Sequence, residues 1–234
     1  MTVFHTQDFA LYLHKNGINL NEYQEKQFVQ YAELLIEWNQ KMNLTGITEM
    51  NAIYEKHFLD SILPLLDLSI KGTLCDVGSG AGFPSLPMKI IRPDLQVTIV
   101  EPLGKRITFL KHLCTQLKLD VELVNERSED YVKRKRESFD VVTARAVANL
   151  PMLSELCIPL VKKEGLFLAM KGAEGYHEHE AAKNAVSCLG CEYLGGYEHS
   201  LSDGSKRINL VYKKCRATPI KYPRPFAKIK KQPL

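Results

Sequence analysis

The chain has 234 residues, 45% of them apolar and 25% charged, with a formal net charge of +4. That length accommodates one well-buried α/β domain with an appendage. No apolar run approaches the roughly 20 residues that cross a bilayer, and the start MTVFHTQDF lacks the basic lead and apolar core of a signal peptide. A cytoplasmic protein with no membrane partner is expected.

Residues 1–70 read as a helical cap. Asp8 to Asn16 carries Phe9 and Leu13 at helical spacing and is stopped by Gly17. Asn21 caps a longer helix whose stripe is Phe28, Ala32, Leu35, Trp38 and Met42, in steps of three and four. Asn39 and Asn43, near its end, are poor helix formers. They serve either as caps or as polar contacts of a ligand cleft. A third helix starts near Asn51 and holds His57-Phe58-Leu59-Asp60-Ser61. His57 reads as structural or as a nucleic-acid contact.

From residue 73 the pattern changes. Strands are predicted at 73–77, 96–101, 121–124, 139–144 and 164–170, with helices up to Ile91 and at 103–118, 150–161 and 174–188. Two further strands, 191–200 and 206–213, flank the turn Ser202-Asp203-Gly204-Ser205. Alternating strands and helices imply right-handed crossovers and a mostly parallel sheet. The core spans 71–215 and a basic tail, 216–234, packs on or near it. From Lys213 to Leu234 there are eight Lys/Arg and no Asp/Glu, so the remainder carries 23 basic and 27 acidic residues, a net of −4. The tail's Tyr222 and Phe226 suit a partner with phosphates and unstacked bases, and the same composition suits a solvated tail. The six cysteines read as reduced, buried small hydrophobes. Cys188 and Cys191 form a lone C-x-x-C without a second pair, so no metal site is expected.

Three features carry chemistry. The run Leu74-Cys75-Asp76-Val77 meets Gly78, Gly80 and Gly82. Glycines at the carboxyl end of a strand allow a tight turn and close approach of a ligand. A dinucleotide fingerprint requires glycine or alanine where this chain has Phe83. The spacing G-x-G-x-G after an acid instead resembles the first motif of S-adenosylmethionine-dependent methyltransferases. Glu101, at the end of the next strand, is placed to accept hydrogen bonds from a ribose. The residue after the fourth strand, which faces the transferred methyl in such enzymes, belongs to Ala144-Arg145-Ala146 rather than to the Pro-Pro-aromatic element of amino-group methyltransferases. Arginine there suits a carboxylate, a phosphate or the O6/N7 edge of guanine. Guanine N7 has a free lone pair, so its methylation needs orientation and desolvation but no base. A small acidic substrate fits the same residues.

Taken together, Trp38-Asn39 with Asn43-Leu44-Thr45, His57-Phe58-Leu59-Asp60-Ser61, Asp76 to Pro84, Lys105-Arg106 with Phe109-Leu110, Arg145-Ala146 and Lys171-Gly172 resemble the glucose-inhibited division protein B family. These are bacterial small-subunit ribosomal RNA guanine-N7 methyltransferases. The resemblance runs nearly end to end. It implies a Rossmann-like class I methyltransferase with a seven-stranded, mostly parallel sheet preceded by the helical segment. It implies S-adenosylmethionine as donor and a guanine in the 530 loop of 16S ribosomal RNA, free or in the small subunit, as acceptor. By motif, Gly78, Gly80, Gly82 and Phe83 form the cofactor loop, Glu101 meets the ribose, Ser128 and Glu129 with Arg127 meet the adenine, and Arg145 lines the methyl-transfer site as catalytic and cofactor residue. His57, Lys105, Arg106, Lys171, Arg207, Arg224 and Lys228 are candidates for RNA contact. Glu101 stands where many relatives have Asp, and Ser128 where Ala is commoner. A small-molecule methyltransferase and a non-catalytic RNA-binding protein on the same fold are the competing expectations.

Overall fold

The computed structural model describes residues 4–234. Thr6–Lys15 (α1) and Glu22–Met42 (α2) follow the sequence stripes. Asn21 accepts from the Gln24 amide at 2.9 Å while Gln24 Oε1 accepts from Asn21 N at 3.0 Å, a reciprocal cap that satisfies two orphan donors. At the other end Asn43 turns left-handed at φ +50°, which asparagine tolerates, and Asn39 Oδ1 accepts from the Thr45 amide at 2.8 Å. Both asparagines therefore serve the helix end. The third helical run is continuous but not uniform. Met50–Ile53 (α3) passes through a π turn, Tyr54–Leu59, into Asp60–Asp67 (α4). The π turn, with its wider hydrogen-bond ring, was not legible in the residue spacing, and such turns recur where functional side chains are re-aimed.

The sheet comprises Thr73–Val77 (β1), Gln96–Val100 (β2), Val121–Val124 (β3), Phe139–Arg145 (β4), Val161–Lys171 (β5), Cys191–Ser200 (β6) and Lys206–Lys214 (β7). Its order is β3-β2-β1-β4-β5-β7-β6, with β7 antiparallel to both neighbours and the other observed pairings parallel. The connecting helices are Ser85–Ile91 (α5), Gly104–Leu117 (α6), Ser128–Lys135 (α7), Leu150–Cys157 (α8) and Gly175–Cys188 (α9), with Phe226–Lys231 (α10) in the tail. This is the expected seven-stranded architecture. Side chains alternate across each strand and divide the interior in two. Leu168 and Met170 of β5 face a core built with α2, α4, α5 and α6. Phe167 and Ala169 face a second core with α8, α9, Tyr222 and Ile229. The helical cap thus shares its core with one face of the sheet, and the tail shares the other.

Two elements lay outside the sequence reading. α7 is short and buries only Ser128, Tyr131 and Val132 before the basic run Lys133–Lys135, so it offers little periodic signal. α10 sits in the stretch whose composition also suited a solvated tail, and one apolar residue, Ile229, is fully buried there. Cys188 is exposed rather than buried, and Cys215 is half-buried.

The cap also holds the β6–β7 turn. Glu55, 5% exposed, accepts from the Ser202 amide and from Ser202 Oγ. Lys56 pairs with Asp203 at 2.7 Å and His199 with Asp67 at 2.7 Å. Glu55→Ala leaves the Ser202 amide without its acceptor. The expected cost is about 1–3 kcal/mol in urea unfolding, with amide exchange across residues 199–205 accelerated more than in β1 and β4.

Candidate active site

The strand order reverses between β1 and β4, so a crevice opens at their carboxyl ends. Three segments meet there: the glycine loop after β1, the Glu101 turn after β2, and Ala146–Asn149 after β4. Gly78 turns at φ +72°, and a Cβ on it would lie 2.8 Å from Val147 Cγ2. Only glycine satisfies both the dihedral and the contact. A Cβ on Gly82, at φ +102°, would lie 2.6 Å from the Tyr31 hydroxyl, which donates to Ala81 O at 2.7 Å. The loop is therefore wedged between α2 and the β4 turn.

Glu101 is 1% exposed. Its Oε2 accepts from the Gly80 amide at 3.1 Å and from Arg106 Nη1 at 3.4 Å, and its Oε1 accepts from Leu103 N at 2.9 Å. One carboxylate thus ties the glycine loop to the end of β2. Asp76, fully buried, accepts from the Ser85 amide at 3.1 Å. Burial pushes its carboxyl up to about 7. Its Oδ1 and the hydroxyl of Ser79 are buried beside the loop with no hydrogen-bond partner among the described residues.

Two clefts open from this junction. The first, about 340 Å³, is lined by Gly78, Glu101, Ser128 and Glu129, with Val77, Val100, Met152 and Leu156 as its apolar walls. The second, about 600 Å³, is lined by Lys56, His57, Asp60, Arg145, Lys171 and Arg207. Ala146, Val147 and Ala148 belong to both. Lys171 Nζ holds this ridge by donating to Ala148 O at 2.7 Å while pairing with Glu178 at 2.7 Å.

The second cleft has a fixed charge pattern. Asp60, 5% exposed, accepts from Arg145 Nη1 at 2.7 Å and pairs with Arg207 Nε at 3.1 Å. Arg145 also donates to Lys56 O at 3.2 Å and to His57 Nδ1 at 3.3 Å, and lies 5.1 Å above the Phe83 ring. Because Nδ1 accepts, Nε2 carries the proton and donates to Thr45 Oγ1 at 2.9 Å. The imidazole stacks on Phe83 at 4.4 Å, and Phe83 stacks on Tyr31 at 5.4 Å. Burial, then the Arg145 cation, pushes His57 down to about 3. His57 is neutral at physiological pH and is held as an acceptor toward the guanidinium.

The sequence-derived residues fall into groups. Gly78, Glu101, Ser128 and Glu129 line the first cleft, and Gly80 reaches it through Glu101. Gly82 and Phe83 face the helical cap instead. Arg145 lies in the second cleft with His57, Lys171 and Arg207. Lys105 and Lys228 are exposed on the surface, and Arg106 is paired with Glu101. Arg224 turns inward to Glu155 at 2.6 Å. Asp60, Val147 and Phe226 were not singled out as site residues. Asp60 stood in the quoted motif and could have been found as the acid one helical turn past His57. Val147 carries no local signal, and Phe226 reads in the sequence only as an aromatic of the basic tail, because only the tertiary fold brings them to the clefts.

Comparison with known proteins gives a consistent result. The family model described as rRNA small subunit methyltransferase G matches residues 24–208. The chain is 48% identical over 234 residues to the ribosomal RNA small subunit methyltransferase G of Oceanobacillus iheyensis, covering 97% of this chain and 98% of that one. It is 50% identical over 232 residues to the Geobacillus kaustophilus protein of that name, covering 97% and 98%. Among solved structures, a methyltransferase from Pyrococcus furiosus superposes with a TM-score of 0.57 at 12% identity, over 82% of this chain and 98% of that one. TYW2 of P. horikoshii, in complex with MeSAdo, superposes at 0.51 and 14% identity, over 84% and 64%. These structures share the fold.

The depressed His57 has a consequence for stability. An unfolded chain protonates this residue near its ordinary 6.5, whereas the folded one resists until about pH 3. The contribution of His57 is complete above pH 6.5 and is lost as pH falls toward 3. Between pH 7.5 and 5 the native chain should lose about 2 kcal/mol from this group. Chemical denaturation at the two pH values should show that loss removed in His57→Gln.

Proposed function

Since the chain belongs to the rRNA small subunit methyltransferase G family, we propose that it transfers the methyl group of S-adenosylmethionine to N7 of one guanine in the 530 loop of 16S ribosomal RNA. The observation that carries this reading is the pair of clefts meeting at Ala146–Ala148. One has apolar walls and a buried acid, as a nucleoside cofactor requires. The other is lined by four cationic side chains against two carboxylates, Asp60 and Glu178, a cationic excess that suits a nucleotide with its phosphates. The ribosomal substrate sets the reaction in the cytoplasm.

The residues of the first cleft fit S-adenosylmethionine. Gly78 leaves backbone open where a side chain would collide, and the carboxylate of Glu101 suits a ribose diol. Ser128 and Glu129 are assigned to the adenine. When bound, the cofactor supplies an electrophilic methyl group on a sulfonium. The protein's part is positional. Arg145, Lys171 and Arg207 orient the guanine and its phosphates, and Val147 narrows the passage between the clefts. N7 reacts through a lone pair, so no proton need be removed before transfer. His57 fits that chemistry, since its imidazole is held neutral as a hydrogen-bond acceptor for Arg145. Lys105 and Lys228 are assigned to the wider RNA surface. Arg224, which lines neither cleft and donates to Glu155, is assigned to holding the tail rather than to RNA.

Methyl transfer from tritiated S-adenosylmethionine tests this directly. The acceptors are 16S RNA and small subunits from cells lacking the protein, with the labelled base mapped by cleavage at N7-methylguanine. One labelled guanine in the 530 loop is expected. Label in a small acidic compound, with none in RNA, would favour the small-molecule reading. Arg145→Ala should lower turnover by about a hundredfold while changing cofactor affinity by no more than about twofold. An equal loss of cofactor binding would reassign Arg145 to the cofactor.

A further inference from the structure

The tail does more than cover one face of the sheet. Phe226, the first residue of α10, lines the first cleft beside Arg127, Met152 and Leu156. The Arg127 guanidinium lies 4.6 Å above its ring. The ring is half-buried, so one part is packed and another is open to the cleft.

The segment that delivers Phe226 is held at several points. Glu155 of α8 is fully buried. Both its carboxylate oxygens accept from Arg224, through the amide at 2.7 Å, Nε at 2.9 Å and Nη2 at 2.6 Å. A buried carboxylate without a partner is strongly unfavourable, so Glu155 demands Arg224 and with it the approach of the tail. Arg136 donates to Thr218 O at 3.4 Å and also to Tyr222 O. Ile229 is fully buried in the second core. The helix that presents Glu155 to the tail also presents Met152 and Leu156 to the cleft, at the i−3 and i+1 positions. Tail and cleft wall are therefore parts of one packing unit.

We propose that the C-terminal tail is a structural wall of the cofactor cleft, with the Phe226 ring supplying an apolar face for the adenine of S-adenosylmethionine and Glu155–Arg224 acting as the positioning pair that holds it there. This rests on the assignment of the first cleft to that cofactor. The tail's exposed lysines, Lys228, Lys230 and Lys231, lie on the same short helix, so bound cofactor should also order their backbone.

The test uses the full chain and S-adenosylhomocysteine, which binds without reacting. Calorimetry should show Phe226→Ala weakening binding by about five- to tenfold, with the melting temperature without ligand close to that of the native chain. Arg224→Ala should weaken binding at least as much, with partial recovery in Arg224→Lys. Trypsin cleavage after Lys228 and Lys230 should slow when ligand is added to the native chain and not when it is added to Phe226→Ala. Equal affinity of Phe226→Ala and the native chain, or tail cleavage indifferent to ligand, would overturn the proposal. Val147→Trp, an exposed change on the ridge, separates this from the underlying assignment. It should obstruct the cleft and abolish binding. Unimpaired binding by Val147→Trp would place the cofactor elsewhere and overturn both readings.

Discussion

Two guanidinium groups share one buried carboxylate, and the second cleft is built on that contact. Asp60 comes from α4, Arg145 from the end of β4 and Arg207 from β7. Three segments distant in sequence are thereby fixed to one another at the crevice. Removing either arginine would leave the buried Asp60 with a single cationic partner, at a cost larger than the lost pair's own net contribution. The arrangement is best understood as a constraint on geometry. It leaves Arg145 with a hydrogen bond from Nη2 to His57 and a face over Phe83. Little torsional freedom remains to the guanidinium.

The π turn belongs to the same constraint. Glu55, Lys56 and His57 all lie within it, and Asp60 follows it directly. Glu55 and Lys56 take hold of the β6–β7 turn while His57 and Asp60 take hold of Arg145. A single helical segment therefore sets the spacing between the hairpin and the carboxyl end of β4. The cap reaches the crevice at the β1–β4 switch through hydrogen bonds and ion pairs as well as through its shared apolar core.

Much of this was legible in the residues. After residue 70 the helical stripes give way to short apolar runs alternating with helices, and the glycine loop, the Glu101 turn and the β4 end come in the order that a doubly wound sheet demands. Strand bounds were recovered to within a residue or so, except at β5, which begins at Val161 where a helix had been expected. There Ile158–Leu160 forms only a 3-10 turn, and two prolines, Pro151 and Pro159, blur the helical pattern. Phe83 shows the limit of motif reading. It follows the glycines directly, yet its ring turns away from the first cleft and becomes the plate on which His57 and Tyr31 stack. Arg224 shows another limit. Its position in a basic, aromatic stretch suggests a phosphate partner, but the acid that takes it is Glu155, 69 residues earlier. Charge runs in a sequence do not disclose which member is neutralised by a distant buried acid.

The neutral state of His57 at the second cleft follows from the same packing. A base for catalysis near neutrality would need a pKa near the working pH. His57 is driven in the opposite direction, first by burial and then by the cation that fixes its tautomer. The two effects reinforce one another, because Arg145 donates to the nitrogen that a proton would occupy. The group most often recruited as a general base is here converted into a rigid acceptor that aims a guanidinium. Such a site is suited to a nucleophile that already carries its lone pair, and poorly suited to one that must first be deprotonated. The ring nitrogen of guanine belongs to the first kind.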